Sequence, residues 1–585
     1  MQLSPSDNRR RRCGFWLALG LLALAAPLRA ATPRDELLRL VPDSIGFCLL
    51  VQDLRGHATS LHTSPFAEQL RQSPFMDKLR KSEELKKLDK FEAKIKDKLG
   101  LDWAQLRDDI LGDALAFAYR PGPPGKPQEE QGIILVRARN AKVLADLIER
   151  LNKLQKDEGE LKELEERRHN DVTYYRRVER GKPPTFYFVH GSILALSGQE
   201  AILRQAIDCD RTRSADAVPE VTRRLRELDA ERALFAVWLN PRAFDAEVES
   251  KAVAAAAERV APAKHFAIYW KALDSVVLSL SPADRDINLS VGMRARVVEL
   301  PSAAQRLLRE ASTPSDLWRR FPETALLAVA SHFDGAALSD VFGGFLTPES
   351  RQSFNANLNR QVGVLLGTDN FAKDVLPGLG PDWGLCVTTP AARDKGWMPQ
   401  TLFALRVDST RTKKPLDHKL LDMLDSLTRL FVFGYNRQHP DQTITPKTID
   451  VDKQEVHYLA SEHGLPAGVQ PAYALLNGYL VLSSSLDRIS RFAQTTPAPA
   501  PAADAPTPLL RISVKDWRSY LKERREPIVR FLADKNRLSP DEAAQQLDKL
   551  LANLQFVDRL ELRQRSAPGQ VIFTLAVQTA QPLKK

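Results

Sequence analysis

Six acidic side chains recur at matching places along this 585-residue sequence, and they are its main candidates for chemistry. They form three pairs: Asp102 and Asp369, Asp113 and Asp382, and Asp43 and Glu323. Carboxylates act as general acids or bases and bind metal ions, so each pair could mark a repeated site. Each also fits ordinary helix caps and turns, which we favour. We therefore assign no catalytic, cofactor-binding or metal-binding residue.

The glycine–aspartate order around the first pair has a specific structural interpretation. Gly100 can end one helix with a positive φ, and Asp102 can then cap the next helix. Gln105, three residues later, would complete a capping box with Asp102. The same order at Gly367 and Asp369 predicts a cap there too. The other four acids are expected in turns beside strands: Asp113, Asp382, Asp43 and Glu323.

Motifs of the familiar enzyme classes are missing from the sequence. There is no HExxH, GxSxG, GxxxxGK[ST], GxGxxG or DxDxDG segment. Cys48, Cys209 and Cys386 lie too far apart for a zinc site or a disulfide framework, and we expect them to be small buried hydrophobic residues. A site assembled from distant residues stays open, so enzymatic activity is uncertain, and no cofactor is expected.

The same order of landmarks occurs twice along the chain. Residues 38–54 and 318–334 each combine a helical turn, a proline, an acid and an apolar strand. Six or more further matches follow in unbroken order, among them TFYFVHGSILALSGQEAILRQA with PAYALLNGYLVLSSSLDRISRFA. A fixed order of matches indicates a structural repeat. We predict two diverged copies, at 31–300 and 315–585, joined by a linker at 301–314.

Short turns between apolar segments set the expected fold class. Asn477-Gly478 is a type I′ hairpin signal, and tight turns require antiparallel pairing. Each copy is therefore predicted to be α+β, a mainly antiparallel sheet with packed helices. The charge run 156–168 is expected to be a solvated helix end. The Pro/Ala-rich segment 495–508 is expected to be a loop inside the second copy.

The first 30 residues have the layout of an export signal. Arg9 to Arg12 precede an apolar stretch at 13–28, and Leu28-Arg29-Ala30 supplies a cleavage site. We predict a signal peptide at 1–30 and a periplasmic or extracellular protein; the alternative is an uncleaved anchor formed by 13–28. The formal net charge of +10 is concentrated partly in this segment. Elsewhere basic and acidic residues alternate, so no nucleic-acid partner is expected.

Several of these segments together resemble a known family. The export signal, LVPDSIGF, LGLDWAQLRDDILGDALAFAY, GIILVRARN and FYFVHGSILALSGQEAILRQAI are similar to exported bacterial proteins that share domain of unknown function 3352. The resemblance implies an extracytoplasmic bacterial protein and carries over no site residue.

The favoured function is a non-enzymatic cell-envelope module for binding or scaffolding. Its partner would be an envelope protein, a polymer or a lipid, with membrane contact only through an uncleaved N-terminal segment. Two alternatives stay open: a hydrolase or transferase with an unrecognised site, and a protein that handles lipids or lipoproteins, which should have an open apolar cavity between sheet and helices.

Overall fold

A computed structural model describes residues 32–64, 67–68, 71, 76, 82–214, 217–254, 260–283, 285–390, 396–412, 415–495 and 505–580. The predicted signal peptide or anchor and most of the Pro/Ala-rich loop, 496–504, lie outside these ranges. Among the described residues, no helix is long and apolar enough to cross a membrane.

Within the described ranges, twenty strands form the framework. In the first half they are β1 Phe47–Gln52, β2 Ala114–Arg120, β3 Gln131–Arg137, β4 Leu161–His169, β5 Val172–Glu179, β6 Thr185–His190, β7 Ile193–Ser197, β8 Phe235–Leu239, β9 Leu273–Pro282 and β10 Asp286–Ala295. In the second half they are β11 Leu327–His332, β12 Leu379–Thr388, β13 Gln400–Val407, β14 Thr445–Val451, β15 Gln454–Ala460, β16 Ala472–Leu476, β17 Tyr479–Ser483, β18 Thr507–Ser513, β19 Val557–Ala567 and β20 Gln570–Thr579.

The α-helices lie between these strands. Those of the first half and the junction are α1 Pro33–Leu38, α2 Leu54–Thr63, α3 Glu83–Leu99, α4 Trp103–Gln105, α5 Ala141–Asp157, α6 Glu200–Thr212, α7 Glu220–Glu227, α8 Asp245–Val253, α9 Val260–Ala272 and α10 Ser302–Glu310. Those that follow are α11 Gly335–Gly344, α12 Pro348–Leu358, α13 Phe371–Asp374, α14 Leu416–Gln438, α15 Leu486–Gln494, α16 Val514–Glu523, α17 Arg525–Asn536 and α18 Pro540–Leu554. Helix α10 occupies the segment predicted as a linker.

The strands of each half pair in the same spatial order, and every pair is antiparallel. The first half runs β4-β5-β6-β7-β3-β2-β1-β8-β9-β10. The second half runs β14-β15-β16-β17-β13-β12-β11-β18-β19-β20. Strands β10 and β20 pair with each other and join both halves into one sheet. The predicted α+β class is confirmed; descent of the halves from one duplicated unit stays a prediction.

One face of this sheet carries a closed hydrophobic core in each half. In the first half, Cys48, Leu50 and Trp238 point into a cluster with residues of α1, α6 and α7. In the second half, Ala328 and Cys386 do so with residues of α15. Alternate residues of the same strands are only half-buried on the opposite face, as the period of two in a β-strand requires.

The prediction of a helix end at 156–168 holds only as far as Glu158, which caps α5, and is wrong for the rest of the run. Helix α5 ends at Asp157, and Leu161–His169 is the edge strand β4, whose charged side chains are mostly exposed. An edge strand lined with charges resists pairing with other chains, so a sequence rich in Lys and Glu suits this place. Cys48 and Cys386 are buried thiols as expected, and Cys209 is half-buried.

Candidate binding face

An unbroken row of apolar side chains crosses the open face of the sheet. Residues that pair directly across antiparallel strands share a face, so the pairing registers define the row. Its thirteen members, from β3 to β17, are Val136, Leu115, Val51, Phe235, Leu280, Leu289, Leu575, Leu562, Leu510, Val329, Leu385, Phe403 and Leu482. At about 4.8 Å per strand, it spans roughly 58 Å. We call it the apolar row.

A second apolar row runs beside the first over seven strands. Its members are Ile134, Phe117, Leu49, Val237, Leu278, Val291 and Phe573. Neither row contains a polar or charged side chain. Three members are well exposed, with Ile134 at 40%, Leu278 at 43% and Leu289 at 49% of their full accessible area. Large apolar side chains exposed side by side mark a binding surface more often than chance exposure.

Helices cover the two ends of the apolar row but leave its middle open. At one end, Val136 and Leu115 pack in a cluster with α5 residues that include Leu144. At the other end, Leu482 packs in a cluster with α14 residues that include Leu420. Between them the row members are half-buried or exposed. The uncovered part is therefore bounded at both ends by helices on the same face.

The middle of the row lies where the two halves meet. Leu289 of β10 faces Leu575 of β20 in the register. On the opposite face, Ser290 and Thr574 are also paired, and their hydroxyl oxygens are 2.9 Å apart. Because β10 and β20 are the last strands of their halves and run antiparallel, the junction has the arrangement of a twofold contact.

The backbone of these central strands is not available to a ligand. Each has a paired strand on both sides, so its N–H and C=O groups are already engaged. A peptide can extend a sheet only at a free edge. The two rows therefore offer apolar contact and no acid, base or hydrogen-bond donor of their own, which suits an apolar ligand and not bond-breaking chemistry. The second row ends at Phe573, whose partner Gln564 is polar and donates to the carbonyl of Ala311.

The structure places the first predicted pair of acids at helix starts. Asp102 accepts from the backbone N–H of Gln105 at 2.7 Å, and Gln105 returns the bond, so the expected capping box is present. In the second half the cap is instead Asn370, which accepts from the N–H of Lys373 at 3.2 Å. Asp369, one residue earlier, is exposed. The prediction that Asp369 is the cap is wrong by one residue.

The second pair splits between a turn and a strand. Asp113 directly precedes β2 as expected and accepts from Arg137 at 3.3 Å. Asp382 lies inside β12 and is buried, so its expected place in a turn is wrong. The hydroxyl of Tyr479 donates to Asp382 at 2.5 Å. Burial raises the pKa of Asp382, while hydrogen bonds from Ser315 and Tyr479 act in the opposite direction.

The third pair lies at the surface. Asp43 accepts from Arg213 at 2.8 Å, and Glu323 is exposed. In the ranges that the structure covers, no two of the six acids share a hydrogen-bond or ion-pair partner, so they do not form one site. The same ranges hold no group of three His, Cys, Asp or Glu residues placed to bind a metal ion.

One acid–base cluster was missed in the sequence. The hydroxyl of Tyr473 donates to Asp425 at 2.5 Å, and His457 Nδ1 lies 3.2 Å from the same carboxylate. Burial and Asp425 raise the pKa of Tyr473 to about 12. The rings of His457 and Tyr473 stack, with centroids 5.1 Å apart. The residues come from α14, β15 and β16, so only the register could have revealed them.

The first half shows what this cluster does. There Tyr175 stacks on Tyr187 across β5 and β6 at the same centroid distance of 5.1 Å. Asn152 of α5 donates to the Tyr187 hydroxyl at 2.9 Å. An amide and two phenols at the equivalent place cannot act as a general base at neutral pH. The shared role is to fasten the long helix to the sheet.

Among the described residues, three cavities lie outside the apolar rows. They have volumes of about 640, 520 and 330 Å³. The second is rich in arginine, but Arg213 is paired with Asp43 at 2.8 Å and Arg224 with Asp274 at 2.9 Å. Such paired cations are stabilising contacts of the fold and do not select a ligand.

Comparison with known proteins adds one clear finding. No curated protein sequence matches the chain. Two crystal forms of TP0453 are similar to part of it: form I at 10% identity and a TM-score of 0.21, covering 44% of this chain and 77% of that one; and form IV at 11% identity and a TM-score of 0.22, covering 44% and 79%. Residues 57–333 match the family model described as "Protein of unknown function (DUF3352)", which confirms the resemblance found in the sequence.

Proposed function

We propose that this protein is an exported, non-catalytic binding protein that holds the acyl chain of a lipid against the open face of its central sheet. The observation that carries the proposal is the apolar row, whose middle members Leu280, Leu289, Leu575 and Leu562 come from four adjacent strands. An acyl chain needs apolar contact and no hydrogen bonds, which is what this surface supplies. The export signal predicted for residues 1–30 is consistent with a cell-envelope location.

A peptide ligand fits the same surface less well. Peptides carry backbone N–H and C=O groups that must be satisfied when they leave water. The two apolar rows offer no partner for them, and the strands beneath are paired on both sides. A protein partner would also be expected to meet a polar rim with hydrogen bonds. The surface therefore favours a ligand that has no hydrogen-bonding groups along most of its length.

The test is a fluorescent fatty-acid titration of the mature chain. Replacing Leu289 and Leu575 with Glu puts two charges at the middle of the row, and we expect affinity to fall at least about tenfold. Leu164→Glu combined with Val253→Glu is the matched control, since it adds the same number of charges at apolar positions outside the row, 44% exposed on β4 and 87% exposed on α8. Circular dichroism and thermal unfolding should be unchanged in both proteins.

Three outcomes decide the proposal. The proposal is supported if the Leu289/Leu575 variant alone binds the fatty acid weakly and native mass spectrometry finds co-purified lipid on the wild type. Equal binding by wild type and variant overturns it, as does the absence of any lipid binding. If the protein turned over an esterase, glycosidase or phosphatase substrate, and an alanine substitution abolished that activity, the hydrolase alternative would be favoured instead.

A further inference from the structure

The second half of α14 has an outer surface that the fold does not require. Four large apolar side chains point to solvent there, and their exposed fractions are Leu427 38%, Leu430 69%, Phe431 54% and Phe433 68%. We call them the α14 patch. Gly434 lies among them, and a side chain added there would meet nothing within 4 Å. The opposite side of the same segment is anchored, because Val432 is buried in a cluster with Ile444 and Leu459.

The equivalent helix of the first half is the natural reference. Helix α5 also follows the third strand, precedes the edge hairpin and packs on the same sheet face, yet it has 17 residues against 23 for α14. Its exposed positions are occupied mainly by charged residues: Lys142, Glu149, Arg150, Lys153, Lys156 and Asp157. Packing on the sheet is therefore possible with an ordinary solvated outer face. The α14 patch must have another use.

Charge indicates what covers the patch. Residues 426–440 contain no acid, and they include Arg429 and Arg437, both exposed. Leucine and phenylalanine flanked by arginine on one helix face is the pattern of a segment that lies in the interface of an anionic membrane. The length of α14 does not change this, because no described helix can span a bilayer.

The size of the patch favours a membrane over a second copy of the chain. Taking about 200 Å² for a whole Leu or Phe side chain, the four exposed fractions amount to roughly 450 Å². A stable protein interface needs about 800 Å² per partner. A shallow apolar patch with basic residues is enough for reversible attachment to lipid headgroups.

We infer that the C-terminal half of α14 docks the protein on an anionic phospholipid surface, with Leu430, Phe431 and Phe433 entering the headgroup region. This attachment is separate from ligand binding on the apolar row, and it adds a membrane contact beyond the N-terminal segment. It would keep an exported protein at the bilayer surface without a spanning helix.

Vesicle flotation tests the inference with the chain from residue 31 onward, so that all proteins have the same N-terminus. We expect the wild type to float with phosphatidylglycerol/phosphatidylcholine vesicles and much less with phosphatidylcholine alone. Leu430→Glu combined with Phe433→Glu should lower the partition coefficient at least about tenfold. Ala141→Glu combined with Ala145→Glu is the control, because it adds the same two charges at exposed positions of α5.

A second variant separates charge from apolar contact. Arg429→Gln with Arg437→Gln should reduce binding to anionic vesicles and leave binding to neutral ones unchanged. The inference is overturned if the Leu430/Phe433 variant floats like the wild type, or if the Ala141/Ala145 variant is equally impaired. It is also overturned if sedimentation shows a wild-type dimer that the Leu430/Phe433 variant loses, because the patch would then be a contact between copies.

Discussion

Trp238 in the first half and Arg511 in the second occupy the same place in the sheet. Trp238 pairs with Cys48 of β1, and Arg511 pairs with Ala328 of the equivalent strand β11. The Trp238 side chain is almost fully buried, and its indole N–H donates to Ser275 at 2.8 Å. At the equivalent place Arg511 lies 3.3 Å from Glu561 and stacks on Trp318.

One backbone arrangement therefore tolerates two kinds of inner layer. The first half fills this place with an apolar side chain, and the second half fills it with an ion pair between the half-buried Arg511 and the buried Glu561. Strand pairing depends on which positions face inward and on the turns, and much less on the identity of each inward residue. The same freedom lets α5 and α14 share a packing site while their outer faces differ.

The largest expected loss of stability is at Trp238, the apolar side chain that fills this place in the first half. Trp238→Ala should lower the free energy of unfolding by about 3–5 kcal/mol, because it leaves a cavity in a closed core. Chemical denaturation followed by circular dichroism measures this change. A loss below about 1 kcal/mol would mean that the first-half core is not packed as described.

The ion pair of Arg511 and Glu561 in the second half should respond differently to single and double substitution. Glu561→Ala should cost about 3 kcal/mol, since the half-buried Arg511 and its neighbour Arg563 would both lose the carboxylate with which they pair. Replacing both residues, Arg511→Met with Glu561→Leu, should recover most of this loss, because an apolar pair resembles the arrangement around Trp238. The same denaturation experiment checks both variants. A double variant no more stable than the single one would contradict the equivalence of the two places.

A smaller effect is expected at the aromatic stacks. Tyr473→Phe removes a hydrogen bond to the Asp425 carboxylate and should cost about 1.5–3 kcal/mol, whereas Tyr187→Phe removes one from a neutral amide and should cost about 1 kcal/mol. The folded pKa of Tyr473 is about 12, above the ordinary 10.0. Its contribution to stability is therefore complete below pH 10 and is lost as the pH rises toward 12.

The free energies of unfolding of the wild type and of Tyr473→Phe can be compared by denaturation at pH 8 and at pH 11.5. The difference between the two proteins at each pH reports the titration of the Tyr473 hydroxyl. The gap between the two proteins should narrow at the higher pH. A gap that is constant or wider would show that the Tyr473 hydroxyl is not held protonated by the fold.

The smallest effect distinguishes the two helix starts. Asp102→Ala should cost about 1 kcal/mol through loss of the cap, and Asp369→Ala less than about 0.5 kcal/mol because Asn370 is the cap in the second half. Thermal unfolding of the two variants checks this. Equal losses would show that Asp369 acts as a cap after all.

The sequence was sufficient for the fold class and for some local structure. Glycine and aspartate spacing predicted the capping box at Asp102, and Asn477-Gly478 predicted an antiparallel hairpin, because both depend on residues close in the chain. The alternation in β12 is equally local, but Asp382 was expected before the strand and lies within it. Its burial depends on Tyr479, 97 positions away in the chain.

The candidate site could not be predicted in the same way. Leu289 and Leu575 are ordinary strand residues until a register places them face to face. The central strands alternate apolar residues with polar ones such as Ser290 and Thr574, so the sequence shows that one face is apolar but not that helices leave its middle uncovered. The prediction for the charge run 156–168 was wrong for a related reason. Lysine and glutamate suit a helix, and they suit equally well a strand at the edge of a sheet, which has no paired strand on one side.

The most direct measurement of the lipid-binding proposal is photo-crosslinking with a diazirine fatty acid, followed by peptide mapping of the mature wild type. We predict labels on the central strands β10 and β20, at 286–295 and 570–579, that excess unlabelled fatty acid removes. Labelling confined to α14 or to the edge strands, with none on β10 or β20, would contradict the claim that the apolar row holds the ligand.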